Sequence, residues 1–204
     1  MLTIQNIERQ SGGVTLFTEF GISLLPGSLI RLEGANASGK SRLLEMISGK
    51  SPVETGCITF AHEETRGDSE FFNDVLHLPQ RNEAALKSRL TVRKQVERLV
   101  QKGSADLVGA ALGYFGLTAL QDEKMAALTY GQQQRVYLTP LVTNPSVIWL
   151  LDRPMMGLDA TARRAVDTLI AGRCQQNGIV LYTHEGESLL NPHGILLLDD
   201  FLFA

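Results

Sequence analysis

The stretch "GANASGKS", from Gly34 to Ser41, constrains the fold of this chain more than any other part of the sequence. It matches the pattern G-x-x-x-x-G-K-[ST], follows the strand-like run "LIRLE" and opens the helix-like run "SRLLEMIS". Glycines allow a backbone to wrap around phosphate groups, and N–H groups at the start of a helix attract anions. The pattern therefore predicts a strand, a phosphate-binding loop and a helix in that order. The alternative is a loop rich in glycine, alanine and serine with an incidental lysine.

Several residues in this stretch and one beyond it indicate that a nucleotide binds together with Mg²⁺. We expect Lys40 to contact the outer phosphates and the Ser41 hydroxyl to hold the metal ion. The residues predicted to contact the nucleotide here are Gly34, Ala35, Asn36, Ala37, Ser38, Gly39, Lys40, Ser41 and Arg42. Asp152 ends the apolar run "VIWLLD", and a carboxylate there is suited to holding Mg²⁺ through water. Taken alone, Asp152 fits a strand-end or helix-capping role equally well.

The composition restricts the class of protein. A chain of 204 residues suffices for one α/β domain, with or without a small insertion. The formal charge of -3 argues against a broad nucleic-acid-binding surface. Cys57 and Cys174 form no CxxC pair, which argues against a zinc site and favours a reducing compartment. The start lacks a secretory pattern, and no apolar run approaches the ~20 residues that span a bilayer. We therefore expect any membrane-spanning partner to be another chain.

Strand-like and helix-like patterns alternate along most of the chain. The predicted strands are "LTIQNIE", "SLIRLEG", "CITFA", "VLHLP", "SVIWLLD", "GIVLYT" and "GILLLDD". The predicted helices are "GKSRLLEMISG", "TVRKQVERLVQKG" with Thr91 as its cap, "SADLVGAALGYFGL", "GQQQRVYLTPLV" and "DATARRAVDTLIAGRCQQ". This order predicts one α/β domain over residues 1–204, with a mainly parallel sheet between helices and an inserted helical segment at about 81–127.

The stretch "LTYGQQQRV" resembles the signature of the ATP-binding-cassette (ABC) ATPases, which usually reads LSGGQ and opens a helix. The resemblance implies that a second nucleotide-binding domain presents its ATP to this helix start, where a hydroxyl and N–H groups can meet the γ-phosphate. The residues implicated are Thr129, Tyr130, Gly131 and Gln132. Thr129 preserves the hydroxyl of the usual serine. Tyr130 replaces a glycine and adds bulk, so we expect the two domains of the closed dimer to pack together differently from those of the family.

Other elements typical of that family follow in the expected order. Gln80 in "LPQ" matches a glutamine that senses Mg²⁺ and the transporter, and the resemblance gives it both a metal-binding and a catalytic role. Asp159 in "GLD" matches a residue that contacts the opposite subunit, and His184 in "LYTHE" matches a catalytic histidine at the γ-phosphate. In isolation each is better explained by an ordinary structural role, as an exposed glutamine, a helix-capping aspartate and a strand-end histidine respectively. Together they imply a P-loop NTPase of ABC type, with an N-terminal antiparallel β part and an inserted helical subdomain.

Arg153 departs from the family because it occupies the place of the catalytic glutamate. A guanidinium cannot accept a proton from water, and losing a general base typically costs about 10²–10⁴ in rate. A positive charge near a triphosphate favours binding. We therefore expect tight ATP retention and weak or lost hydrolysis, with His184 and Gln80 able to support residual turnover. The alternative is that Arg153 pairs with a nearby carboxylate while another residue supplies the base.

The residue that stacks on adenine is a second departure. Phe17 lies nearby in the sequence, but "RQSGG" offers no tyrosine at the usual place. The preference for adenine therefore follows from the resemblance and not from an identified aromatic side chain.

A narrower resemblance concerns the ATP-binding subunit of the haem exporter used in cytochrome c maturation. The similar phrases are "RLTVRKQV", "GQQQRV", "WLLD" and "GIVLYTHE". This resemblance implies ATP and Mg²⁺ as ligands, integral membrane transporter subunits as partners, and a second nucleotide-binding domain in a homodimer or a heterodimer. It also implies a cytoplasmic location on the inner face of the membrane. The helical insertion after Gln80 would be the docking region. Its stretch "RNEAALKSRLTVRKQ" is basic, which a solvated face explains as well.

Two other functions remain possible from the sequence alone. An ATP-dependent clamp or assembly factor that does not hydrolyse ATP is favoured by Arg153 and Tyr130 over a standard motor. A small-molecule or nucleotide kinase would also need a phosphate loop, but it explains neither "LTYGQ" at a helix start nor His184 after a late strand.

Overall fold

The structure is a computed structural model that describes residues 1–65, 68–81, 86–100, 105–184 and 190–201. The chain divides into two compact units. The sheet unit comprises Met1–Pro79, Ser146–Arg153 and Gly172–Ala204, and the helical unit comprises Gln80–Pro145 and Pro154–Ala171. The predicted helical insertion at 81–127 belongs to the helical unit, which extends beyond it at its C-terminal side.

The strands and helices of the described residues are numbered in chain order. The strands are β1 (Leu2–Ser11), β2 (Val14–Leu24), β3 (Leu29–Glu33), β4 (Cys57–Phe60), β5 (Glu63–Glu64), β6 (Val75–Leu78), β7 (Ile148–Leu151), β8 (Ile179–Thr183) and β9 (Gly194–Leu197). The α-helices are α1 (Lys40–Ile47), α2 (Ser69–Asn73), α3 (Val92–Leu99), α4 (Ala105–Tyr114), α5 (Tyr130–Tyr137), α6 (Pro140–Thr143) and α7 (Ala160–Gln175). Short 3-10 turns occupy Thr118–Leu120, Met125–Ala127 and Leu198–Phe201.

The sheet unit contains an antiparallel and a parallel sheet, which confirms the predicted fold class. The antiparallel sheet has the order β2-β1-β4-β5, and the parallel sheet has the order β6-β7-β8-β3-β9. In the parallel sheet Leu78 pairs with Leu151, Leu151 with Tyr182, and Leu32 with Thr183. The carboxyl ends of β6, β7, β8 and β3 therefore meet at one edge, where ligands of open α/β sheets bind.

Burial of apolar side chains holds α1 against the strands of this unit. Leu43 and Leu44 are completely buried, and Met46 and Ile47 nearly so, within the core that also contains Leu32 of β3. Each such side chain contributes about 1.5–3 kcal/mol of burial free energy. The loop between β3 and α1 is thus held between two elements anchored in the same core.

One helix predicted for the helical unit is interrupted in the structure. The stretch "GQQQRVYLTPLV" forms two helices, since α5 ends at Tyr137 and α6 begins at Pro140. Proline lacks a backbone N–H and its ring clashes with the preceding turn, so it starts a helix more readily than it continues one. Thr91 caps α3 as predicted, because its side chain accepts a hydrogen bond from the Lys94 N–H at 3.4 Å. In the described part of the chain, no helix is both long enough and apolar enough to span a membrane.

Candidate functional site

The predicted phosphate loop connects β3 to α1, and two of its glycines adopt conformations that other residues rarely adopt. Gly34 has φ +149° and Gly39 has φ +102°. A Cβ at Gly34 would lie 2.7 Å from Ser38 Oγ, and one at Gly39 would lie 3.0 Å from a ring carbon of Phe17. Both the backbone angle and the packing therefore require glycine at the two ends of the loop.

Lys40 folds back over the start of this loop. Its ammonium donates hydrogen bonds to the carbonyl oxygens of Gly34 at 2.8 Å and Ala35 at 2.7 Å. A pocket of about 470 Å³ lies beside the lysine, within the size range of small-molecule sites. The residues that line it are Leu16, Ala37, Ser38, Gly39, Lys40, Ser41, Arg42, Asp152 and Arg153. The loop thus combines a fixed cation with a helix N-terminus, which suits a polyphosphate ligand.

The structure brings Ser41 and Asp152 together, although they lie far apart in the sequence. The Ser41 hydroxyl donates to Asp152 Oδ2 at 2.5 Å, and the Thr183 hydroxyl donates to Oδ1 at 2.6 Å. Asp152 is 5% exposed. A serine hydroxyl next to a carboxylate fits Mg²⁺, which binds few protein oxygens and keeps water or phosphate oxygens in its other positions. Within the described residues, no three or more His, Cys, Asp or Glu side chains are grouped so that they could hold a metal ion.

Gln80, which was also predicted to bind the metal, lies in the helical unit. Its side-chain amide donates to the Met156 sulfur at 3.8 Å in the same unit. Its contact with Mg²⁺ therefore stays a prediction.

Arg153 occupies a strained backbone position beside the phosphate loop. Its φ is +50°, in the left-handed region that residues other than glycine seldom adopt. Its backbone N–H donates to the Thr183 hydroxyl at 2.8 Å, and its guanidinium donates to Asn36 Oδ1 at 3.3 Å. The guanidinium therefore lies at the pocket that the phosphate loop forms.

His184 follows the carboxyl end of β8, next to Thr183. Its Nε2 atom is buried and has no hydrogen-bond partner among the residues that the structure describes. Buried polar atoms are nearly always satisfied, and the exceptions often belong to binding or catalytic groups. The imidazole thus has an unused nitrogen at the sheet edge that carries Asp152.

Sequence reasoning missed three residues at this site. Thr183 bridges Asp152 and Arg153, and Asp199 accepts hydrogen bonds from the Ala35 N–H at 3.0 and 3.2 Å. Both follow or end strands that neighbour β7 or β3, so the predicted parallel sheet edge was a usable signal. Leu16 lines the pocket, whereas Phe17 is completely buried, with its ring 5.9 Å from that of Phe20. No sequence pattern distinguishes these two neighbours.

The residues of the predicted signature lie in the helical unit at the start of α5. The Thr129 hydroxyl accepts from the Gln132 N–H at 3.3 Å, and the Gln132 side chain accepts from the Thr129 N–H at 2.8 Å. This capping box fixes the first turn, which also contains Tyr130 and Gly131. Asp159 accepts from the Ala162 N–H at 2.8 Å and so caps α7. The helix-capping role of Asp159 is therefore present, and its contact with a second subunit stays a prediction.

Comparison with known proteins identifies relatives over nearly the whole chain. Residues 17–156 match the family described as "ABC transporter". The cytochrome c biogenesis ATP-binding export protein CcmA of Reclinomonas americana is 29% identical over 97% of this chain and 90% of its own length. CcmA 2 of Cupriavidus metallidurans is 31% identical over 91% of this chain and 90% of its own length.

Solved structures support the same fold. A protein described as an ABC transporter ATP-binding protein from Pyrococcus furiosus superposes with a TM-score of 0.81 over 98% of both chains, at 19% identity. An ATP-binding cassette of an ABC transporter in its ADP conformation gives a TM-score of 0.71 over 92% of this chain and 82% of its own length, also at 19% identity. The family match spans more than half of the chain, and it confirms the resemblance found in the sequence. The chain therefore belongs to the ABC transporter family, in which it is an ATP-binding subunit.

Proposed function

We propose that this protein binds Mg·ATP and couples ATP binding to an integral membrane partner that exports haem for cytochrome c maturation. The observation that carries the ATP part is the cradle made by the phosphate loop, Lys40 and the Ser41–Asp152 pair. The export part is supported by the names of relatives that are 29% and 31% identical over nine-tenths or more of this chain. A second nucleotide-binding domain and a place at the inner face of the membrane belong to the same proposal.

The proposed chemistry assigns separate tasks to the residues of the cradle. Lys40 and the N–H groups at the start of α1 hold the outer phosphates. Ser41 and Asp152 hold Mg²⁺, which neutralises phosphate charge when it is bound. His184, whose Nε2 has no hydrogen-bond partner among the described residues, contacts the γ-phosphate. These groups explain binding and charge stabilisation without requiring a proton acceptor.

In this proposal Arg153 makes ATP hydrolysis slow. Its guanidinium donates to Asn36 of the phosphate loop and cannot take a proton from an attacking water. The missing general base lowers the rate by about 10²–10⁴. Two unit charges ~4 Å apart interact by roughly 4 kcal/mol at an effective dielectric of 20, an upper guide before desolvation. The charge therefore favours ATP retention while hydrolysis slows.

The test is steady-state phosphate release by the purified assembly, compared with its Arg153→Glu variant. We expect the variant to release phosphate at least about tenfold faster, the lower end of what a general base contributes. ATP should also dissociate faster from the variant, because a cation has been replaced by an anion. Arg164→Glu, at an exposed position of α7, is the matched control and should change neither rate. Natural turnover at ordinary transporter rates, with no gain in Arg153→Glu, would contradict slow hydrolysis.

A second candidate is an ATP-dependent clamp or assembly factor that does not hydrolyse ATP. Its support is that the sequence has Arg153 where the family has its catalytic glutamate, and that the Arg153 guanidinium contacts Asn36 of the phosphate loop. Turnover measured with the membrane partner present discriminates the two functions. Phosphate release that the partner stimulates supports the transporter, and ATP binding without release supports the clamp.

A further inference from the structure

One arginine in the helical unit makes three contacts with the start of α5. The guanidinium carbon of Arg81 lies 4.1 Å from the centroid of the Tyr130 ring. Its Nε donates to Gln134 Oε1 at 3.1 Å, and one of its terminal nitrogens donates to Gln133 Oε1 at 3.0 Å. Arg81 directly follows Gln80 in the sequence. A single side chain thus joins the segment of Gln80 to the first two turns of α5.

The same turns of α5 also pack against the segment Pro154–Gly157. A Cβ on Gly157 would lie 2.4 Å from a ring carbon of Tyr130, so the ring rests directly on the glycine backbone. Gln134 is 2% exposed and its amide donates to the Pro154 carbonyl at 3.0 Å. Gln80 reaches the same segment through Met156. Arg81, Tyr130, Gln133, Gln134 and Gly157 form what we call the Arg81 cluster.

We propose that Arg81 is a positioning residue that sets the orientation of the first turn of α5 through the Arg81 cluster. The inference rests on the proposed function, because that turn carries Thr129 to Gln132, which would face the ATP of a second domain. The contact with the ring needs an aromatic side chain at position 130, where the family usually has glycine. Tyr130 thereby acts as a support for Arg81 and not only as added bulk.

The chemistry of the arginine side chain explains why another cation would not serve. A guanidinium is a planar fork that can donate to two amide oxygens while its face lies on an aromatic ring. An ammonium is a compact charge without a planar face, so it cannot donate to both amide oxygens and stack on the ring at the same time. Arg81→Lys therefore keeps the charge and loses the geometry. Tyr130→Phe keeps the ring face and its packing on Gly157, and Tyr130→Gly removes both.

Amide hydrogen exchange of the full chain tests this inference. We expect Arg81→Lys to accelerate exchange at the Gln132 and Gln133 amides, which donate to Thr129, by about tenfold, because the first turn opens more often without the arginine contacts. Tyr130→Gly should give a similar acceleration, and the double variant should be no faster than either single variant. Tyr130→Phe should exchange like the natural protein. The Val96 amide in α3 and the free energy of global unfolding should change little in Arg81→Lys, which separates positioning from general stability.

Arg93→Lys is the matched control, because Arg93 donates to Gln121 in the same unit without belonging to the Arg81 cluster. Equal exchange at Gln132 and Gln133 in Arg81→Lys and Arg93→Lys would overturn the inference. So would additive acceleration in the double variant, or a loss of protection in Tyr130→Phe equal to that in Tyr130→Gly. Mg·ATP affinity, measured in parallel by calorimetry, tests the proposed function independently. If the natural protein binds no Mg·ATP, the proposed function is refuted, whereas the hydrogen-exchange result remains valid.

Discussion

Replacing Thr183 with valine removes one hydroxyl that makes two hydrogen bonds, one buried and one partly buried. The hydroxyl donates to Asp152 Oδ1 at 2.6 Å and accepts from the Arg153 N–H at 2.8 Å, and Thr183 is 1% exposed. Valine has nearly the same shape, so the change leaves no large cavity. The carboxylate loses one of its two hydroxyl donors, and the strained Arg153 backbone loses its acceptor.

The expected destabilisation follows from these two contacts. A hydrogen bond to a charged group contributes about 1.5–3 kcal/mol, and a fully buried N–H left unsatisfied costs about 1–3 kcal/mol, so the partly buried Arg153 N–H falls at the lower end of that range. We therefore expect Thr183→Val to lower the free energy of unfolding by about 3 kcal/mol. Thr183→Ser keeps the hydroxyl and removes one methyl group, for a loss of about 1 kcal/mol. The difference between the two variants isolates the contribution of the hydroxyl.

Urea unfolding in metal-free buffer, followed by tryptophan fluorescence, measures this difference. Trp149 is the one tryptophan in the sequence, and it lies 1% exposed on β7, three residues before Asp152. Its emission therefore reports the unfolding of the sheet unit. A valine variant as stable as the serine variant would refute the reasoning, because the hydroxyl would then contribute no more to stability than the methyl group that serine lacks.

Two further predictions concern ionisation. Burial, assisted by Lys50, lowers the pKa of His77 from 6.5 to about 4, so the unfolded chain binds the proton more readily. The stability contribution is then complete above pH 6.5 and lost as the pH falls toward 4. Allowing for solvent screening, it amounts to about 2 kcal/mol in the free energy of unfolding. His77→Gln should flatten this dependence in unfolding curves across that range. Burial also raises the pKa of the Cys174 thiol to about 11, so at pH 8 its alkylation, followed by mass spectrometry, should be about a hundredfold slower than that of free cysteine.

Each of these two predictions has a clear control. His62 is exposed, so His62→Gln should leave the pH dependence of unfolding unchanged. If the free energy of unfolding depends on pH equally in the natural protein and in His77→Gln, other groups cause any acid sensitivity. For the thiol, Cys57→Ser leaves Cys174 as the one cysteine in the chain, and alkylation at the rate of a free thiol would contradict the raised pKa.

Local patterns in the sequence predicted most of what lies on a single element. The glycines at positions 34 and 39, the cap at Thr91 and the helix start at Thr129 depend on neighbours a few residues away. The approach of Ser41 to Asp152 was also predictable, because strands of a parallel sheet end at the same edge. The stretch predicted as one helix is two helices because Pro140 cannot continue the backbone hydrogen bonding of α5.

Side-chain partners across the fold could not be predicted in the same way. The sequence places Leu16 and Phe17 next to each other, and core packing alone turns the leucine to the pocket and the phenylalanine into the interior. Asp199 and Thr183 resemble ordinary strand-end residues until β9 and β8 are paired with β3. The contact between Arg81 and Tyr130 joins residues from separate segments, and no local pattern encodes it.

The sequence by itself therefore determined the family, the order of the elements and the chemistry of the phosphate loop, because these depend on residue type and on spacing along the chain. The tertiary structure decided that Thr183 joins Asp152 to Arg153, that the Arg153 guanidinium lies on Asn36, and that Arg81 stacks on Tyr130. The physical reason is that each of these contacts depends on how distant segments pack, and packing selects one partner among several of equal chemical suitability.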